Sequence, residues 1–407
     1  MQIGIGIVAF LVFIVFVIVW YLVLKRSIAE AMLLGLLVCC AFSGIQNIPT
    51  TFVTSLKDAM TEDVMAAIML FTIMSSIMTQ TGIITRLVNI LNAILGRLRG
   101  GPAYVSACAS ALFGMVSGAS SANAATVGSI TIPWMRESGW SKEVAATMNT
   151  GNAGLGICIP PSSSMFLMLG LPAVAGVVEA GDLYFALLCG GLWTLVYRLI
   201  LVRYYVHKYK IPPISKEKIE PLGTALKQGG SSLTMFLGII IPLVVITGPV
   251  ATLLEGLASF GEDGVDAMNI IIWVPVLIML ICLIEGRKLL PKTLDGWAKM
   301  LLASAKQCCN CGAVSLFAMA SSNALNQTSF GEDMTTILSA LTLPKFVMIL
   351  IIGYVIALAA GPMNATSTTV SLGPVAYSAM VSVGVPPVTA IVAYLIFAST
   401  EGASPPM

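Results

Sequence analysis

Serine, asparagine, threonine and glycine crowd two stretches of an otherwise apolar chain, and together they offer neutral oxygens for coordinating a hard cation. The first stretch carries Ser117, Ser120, Ser121 and Asn123, then Asn149-Thr150-Gly151-Asn152-Ala153-Gly154-Leu155-Gly156, then Pro160-Pro161. The second carries Gly361, Asn364, Thr366, Ser367 and Thr368, then Ser399, Thr400, Glu401, Gly402 and Ser404, then Pro405-Pro406. In hydrocarbon an unpaired backbone group is costly, so an unwound stretch persists only where protein, water or an ion satisfies it. The glycines permit unwinding, and the paired prolines lack the amide donors that would close the helix again. Oxygens left free in this way suit Na⁺, whereas helix N-termini pointing inward would favour an anionic group.

On this chemistry two Na⁺ sites are expected. Ser117, Ser120, Asn123, Thr150, Gly151, Gly154 and Gly156 form the first, and Gly361, Asn364, Thr366, Ser367, Thr400, Gly402 and Ser404 the second. Ser121, Asn152, Pro160, Pro161, Thr368, Glu401 and Pro405 are expected to face the substrate. Small and hydroxyl residues also serve simply to pack helices. Their duplication at matched spacing argues against that alone: Gly139 to Pro160 and Gly384 to Pro405 are both 21 residues, and Gln80-Thr81 recurs as Gln327-Thr328. Duplicated, interrupted apolar segments are the sequence pointer to the ion and substrate site of a secondary transporter.

The elements that must position these residues follow from composition. Hydrophobic residues make up 57% of the 407 and charged residues 10%, which excludes a soluble globule and predicts an all-α polytopic membrane protein. Apolar spans fall near 3–24, 28–46, 63–85, 141–170, 183–206, 231–254, 265–285, 300–325 and 386–407. The first is too long for a signal peptide and lacks a small-residue cleavage site, so it reads as a retained span. With the N-terminus outside, Lys25-Arg26, Arg86, Arg97, Arg99, Arg136, Lys142 and the cations of 203–227 and 286–299 all lie in the cytoplasm. Only Lys57 and Lys345 then fall outside. That assignment requires 103–135 and 344–380 to be re-entrant hairpins of opposite orientation.

The organisation predicted is an inverted repeat with two helical hairpins and two broken helices. Residues 1–182 form the first repeat, with an amphipathic arm at 83–99, a hairpin at 103–135 and a broken helix at 141–170. A linker span and cytoplasmic loop occupy 183–230. The second repeat, 231–407, carries its arm at 330–342, hairpin at 344–380 and broken helix at 386–407.

Other residues that look chemical do not assemble into a catalytic pattern. Nine cysteines, Cys308, Cys309 and Cys311 among them, have no His, Asp or Glu nearby and read as packing residues. The single histidine, His207, lies in a basic stretch and excludes HExxH zinc sites. Aspartates fall in loops or at span ends, against an intramembrane aspartyl protease. No organic cofactor, nucleic acid or enzyme activity is expected.

Residues 79–165 resemble the large membrane subunit of tripartite ATP-independent periplasmic (TRAP) transporters, DctM type. The motifs are TGIITRL in the arm, LRGG at the turn, SGASS at the hairpin tip, GSITIP, and LGICIPPS at the break. The second half, GVPPVTAIVAYLIFASTEGASPPM, resembles the family's second hairpin and broken helix more weakly. The resemblance implies a Na⁺-coupled importer of small organic anions, carboxylates in particular, working by an elevator motion in a bacterial or archaeal cytoplasmic (inner) membrane. It also implies two partners, a small four-helix membrane subunit and an extracytoplasmic substrate-binding protein.

Two departures stand out. Family members continue past the second Pro-Pro, whereas this sequence stops at Met407, so either the C-terminus is incomplete or a partner finishes the second site. Glu401 is an acidic residue inside a span, expected in the second cation site or in proton coupling. No arginine lies near either tip along the sequence, so the particular carboxylate is not readable. A stand-alone Na⁺/dicarboxylate symporter of related architecture, and an uncoupled channel or scaffold, remain open.

Overall fold

The computed structural model describes residues 4–117, 120–171, 173–174, 176–212, 220–246, 249–256, 270–328, 330, 333, 344–363 and 365–403. Among these residues the regular structure is entirely helical. The expected arm at 330–342 lies almost wholly outside them.

The chain begins with α1 (Ile5–Ile18), continued by a π turn over Val19–Val23, and α2 (Ile28–Phe42). Ser27 caps α2 by accepting from the Glu30 amide at 3.2 Å. Next comes α3 (Ile48–Thr61), a helix in a stretch read from sequence as an exterior loop. It is amphipathic, burying Thr51, Ser55 and Ala59 on one side and exposing Val53 and Met60 on the other. Then follow α4 (Asp63–Gln80), a left-handed Gly82, and α5 (Ile83–Leu95). The arm therefore ends four residues short of the expected Arg99, and a turn through Gly100 leads onward.

The first hairpin is α6 (Gly101–Ser117) and α7 (Ser120–Glu137). After it come α8 (Lys142–Ala153), a 3-10 turn (Gly154–Ile157), the Pro160-Pro161 bend and α9 (Ser163–Leu169). A single long helix, α10 (Ala180–Lys208), follows. Beyond it, α11 (Leu222–Gly229) packs on α5, where Ala225 meets Ile90 and Ala93. That contact gives the arm a second buried side, so it is more than a helix lying on an interface. A 3-10 stretch (Gly230–Phe236), α12 (Leu237–Ile246), α13 (Pro249–Glu255), α14 (Ile270–Glu285) and α15 (Leu294–Asn326) lead to the second hairpin. This is α16 (Lys345–Met363) and α17 (Ala365–Ser382), followed by α18 (Pro387–Ala398) and a 3-10 turn (Ser399–Ala403).

The element bounds recur along the chain. Helices α7 and α17 are each 18 residues, α8 and α18 each 12, and both pairs start and stop 245 residues apart. The ends match as well. Left-handed Gly139 and Gly384 terminate α7 and α17 in the same motif, Trp140 donating to the Met135 carbonyl and Val385 to that of Met380, both at 3.1 Å. Each 3-10 turn packs against the first helix of its own hairpin.

The chain divides into two compact units. One takes Met1–Met69, Ser164–Ala186 and Lys306–Pro406; the other takes Leu70–Ser163 and Leu187–Ala305. The first hairpin belongs to the latter and the second hairpin to the former. Around the base of the first hairpin, Ala103, Met135, Trp140, Ala145 and Met148 close on Val202 and Val206 of α10.

Two uninterrupted helical stretches among the described residues, Ala180–Lys208 and Leu222–Val245, are long and apolar enough to cross a bilayer. A third candidate is a pair, Ile45–Thr61 and Met65–Gln80, bent by 54°. Most other expected spans are shorter apolar helices or broken ones. Leu222–Val245 itself passes from α-helix through the 3-10 stretch Gly230–Phe236 back to α-helix, with Pro242 inside α12.

Candidate functional site

Asn123, in the first turn of α7, ties the first hairpin to the break. It is fully buried, and its amide donates to the Ser110 carbonyl of α6 at 2.9 Å and to the Ala153 carbonyl, the last of α8, at 2.8 Å. Two acceptors on the nitrogen fix the orientation of the amide, which leaves Oδ1 as its acceptor end. That oxygen is buried with no partner among the described residues, as are Ser110 Oγ and Asn149 Oδ1. Asn149 in turn donates to the Ala124 carbonyl at 2.9 Å, linking α8 to α7 beside Asn123. The backbones approach closely here because Gly114 and Gly156 face one another, and a Cβ on either would run into the backbone of the other. These neutral oxygens fit a hard cation.

Several sequence expectations change in this geometry. The helix does not unwind from Thr150: α8 stays helical to Ala153, and the break starts at Gly154. Nor are all the carbonyls of the break free. Ala153 is taken by Asn123, Leu155 by the Cys158 amide at 3.2 Å, and Ile157 by the Ser162 hydroxyl at 3.0 Å. Among the described residues, the buried side-chain oxygens without partners here belong to the hairpin and α8. Asn152 is buried and directs its amide at Ser106 of α6, 3.5 Å away. Ser120, Gly154, Gly156, Pro160 and Pro161 are buried around the break, whereas the side chains of Ser117 and Ser121 lie outside the described residues.

Thr150 and Gly151 point elsewhere. The Thr150 hydroxyl donates within its own helix, to Ala146 at 3.1 Å and Thr147 at 3.2 Å. Thr150→Val is therefore expected to leave stability within about 0.5 kcal/mol and any cation-induced shift of the unfolding midpoint unchanged; loss of that shift would return Thr150 to the site. Gly151 faces α10, where an added Cβ would lie 3.3 Å from Arg198 Nη1. At an effective dielectric constant of about 20, two unit charges roughly 5 Å apart repel by about 3 kcal/mol, so a cation would avoid that side of α8.

The second assembly repeats the positions with different chemistry. Thr368 and Thr369 stand where α7 has Asn123 and Ala124, and Tyr394 stands where α8 has Asn149. All three are fully buried. The Tyr394 and Thr369 hydroxyls are neighbours. In the terminal 3-10 turn, Ser399 and Thr400 donate to Ile396 and Phe397 at 2.6 and 2.7 Å, and Gly402 is buried. Glu401, also buried, occupies the position of Gly156. Thr366 is partly buried, while Asn364, Ser404 and Pro405, with the surroundings of Gly361 and the side chain of Ser367, lie outside the described residues.

Comparison with known proteins fits this architecture. The family model described as "Tripartite ATP-independent periplasmic transporter, DctM component" matches residues 5–407. The chain is 29% identical over 174 residues to the uncharacterized protein YgiK of Salmonella typhimurium, a match covering 43% of this chain but only 39% of that protein. It is 24% identical over 322 residues to the C4-dicarboxylate TRAP transporter large permease protein DctM of Pseudomonas aeruginosa, covering 79% and 70%. The crystal structure of the Alcanivorax borkumensis YdaH transporter superposes with a TM-score of 0.63 at 14% identity, over 89% of this chain and 78% of that one. At that identity the likeness concerns the fold.

Proposed function

We propose a function from the premise that the chain belongs to the DctM component family of tripartite ATP-independent periplasmic transporters. The family is one of transporter permeases, integral membrane proteins with many helices. In our reading, this chain is the translocating subunit of a Na⁺-coupled importer of a small organic anion. An extracytoplasmic binding protein delivers the anion, and a small four-helix membrane subunit completes the complex in the cytoplasmic membrane.

The observation that carries this reading is the Asn123 junction, which holds a helical hairpin against a helix break and leaves amide and hydroxyl oxygens turned inward. One Na⁺ binds among Asn123 Oδ1, Ser110 Oγ and Asn149 Oδ1. A second binds in the other assembly, around Thr368, Thr400, Glu401 and Gly402. The hairpins are re-entrant from opposite faces of an inverted repeat with the N-terminus outside, and they move as an elevator between the two sides. A carboxylate cargo is consistent with the C4-dicarboxylate named for the Pseudomonas relative.

The test is uptake into proteoliposomes with and without the two companions. Uptake should require both companions and rise at least tenfold when an inward Na⁺ gradient is imposed. Full activity from the chain alone would replace the tripartite reading with a stand-alone symporter, and uptake indifferent to Na⁺ would remove the coupling.

A further inference from the structure

Helix α10 presents one inward stripe along its length: Leu187, Gly191, Val202 and Val206 are buried and Arg198, partly buried, stands in line with them, at spacings of four or seven residues. Arg198 alone in this stripe is charged. It stands ten residues before Lys208, the end of the helix, or about 15 Å along the axis at 1.5 Å per residue. Two turns earlier, Gly191 lies so close to the Cys158 carbonyl that a side chain there would collide with it. The stripe therefore runs along the break that ends at Pro160-Pro161, and the Arg198 guanidinium reaches Gly151 in the last turn of α8.

An ionised group inside an apolar span normally has a partner. Among the described residues no carboxylate pairs with Arg198, and its Nε is buried without an acceptor. A guanidinium carries five donors in a planar fork that matches a carboxylate. The neutral-oxygen cluster around Asn123 lies on the other side of α8, so a cation and an anion can bind on opposite sides of one helix end without competing.

We infer that Arg198 is the anion-recognition residue of this subunit, receiving a carboxylate of the cargo beside the break of α8. The inference rests on the anion-importer reading above and adds the group that selects the charge. It makes α8 the shared element: Asn123 and Asn149 bind its end from the hairpin side, and Arg198 meets it from α10.

The test is thermal unfolding of the purified chain, titrated at constant ionic strength with succinate or its uncharged analogue succinamide, and separately with Na⁺ against choline. Succinate should raise the midpoint of the wild type and of Arg198→Lys. The shift should vanish in Arg198→Met and in Arg198→Gln, which keeps a hydrogen-bonding end, and succinamide should shift none of them. The Na⁺-induced shift should survive in all four proteins. A succinate shift of equal size in wild type and Arg198→Met, or none in the wild type, overturns the assignment. A succinate shift that depends on Arg198 without any response to Na⁺ upholds it and removes the cation coupling instead.

Discussion

Replacing Gly156 with alanine should abolish transport while leaving a folded, membrane-inserted protein. The new methyl group would meet the Gly114 backbone rather than a flexible side chain, so neither α6 nor the 3-10 turn can yield without moving a whole element. Overpacking of this kind costs about 1–3 kcal/mol, which a large helical protein survives. The functional loss should be greater, because separating the turn from α6 by even about 1 Å displaces the site held at their junction. The measurement is initial uptake beside a thermal-unfolding midpoint. A fall of at least a hundredfold in uptake with a midpoint lowered by only a few degrees is expected. Uptake within threefold of wild type would show that the close approach is incidental.

Asn123→Ala should raise the half-saturating Na⁺ concentration by tenfold or more and lower stability together. One amide would serve both roles: its nitrogen joins α6 to the end of α8, and its buried, unpartnered oxygen is the cation ligand of the proposed function. Removing it takes away two buried hydrogen bonds that join these elements, at a cost of roughly 1–3 kcal/mol. Loss of a cation ligand alone accounts for about tenfold in affinity at 1.4 kcal/mol. Thr368→Ala, at the corresponding position of the second assembly, lacks the bridging amide. A sodium response unchanged in Asn123→Ala would dismiss the first site, whatever the change in stability.

The boundaries of the site elements were legible because they depend on local chemistry. Gly139 and Gly384 end α7 and α17 in left-handed turns, Ser141 caps α8 at the Val144 amide, and the paired prolines mark the first break. What was not legible depended on side-chain direction. Thr150 and Gly151 stand in the polar run that suggested a cation site, yet helical geometry turns one onto its own backbone and the other toward α10. Free carbonyls were expected at the break, but Ser162 and Cys158 close two of them through contacts only a few residues long. Arg198 was missed because 47 residues separate it from Gly151 in sequence. Its signal was present all the same, as a charge on the inward stripe of an apolar helix. Helices α3 and α11 were read as loops because their apolar residues are spaced for one face only and never form a span-length run.

The account stands on the two hairpins entering and leaving the membrane on one side each. Side-specific labelling tests this directly, using single cysteines at the exposed hairpin ends Arg99 and Glu137, and Lys345 and Ser382, in a background without the native cysteines. A membrane-impermeant maleimide should label Arg99→Cys and Glu137→Cys only from the cytoplasm, and Lys345→Cys and Ser382→Cys only from outside. Labelling of Arg99→Cys and Glu137→Cys from opposite faces would make α6 and α7 a through-passage and contradict the account.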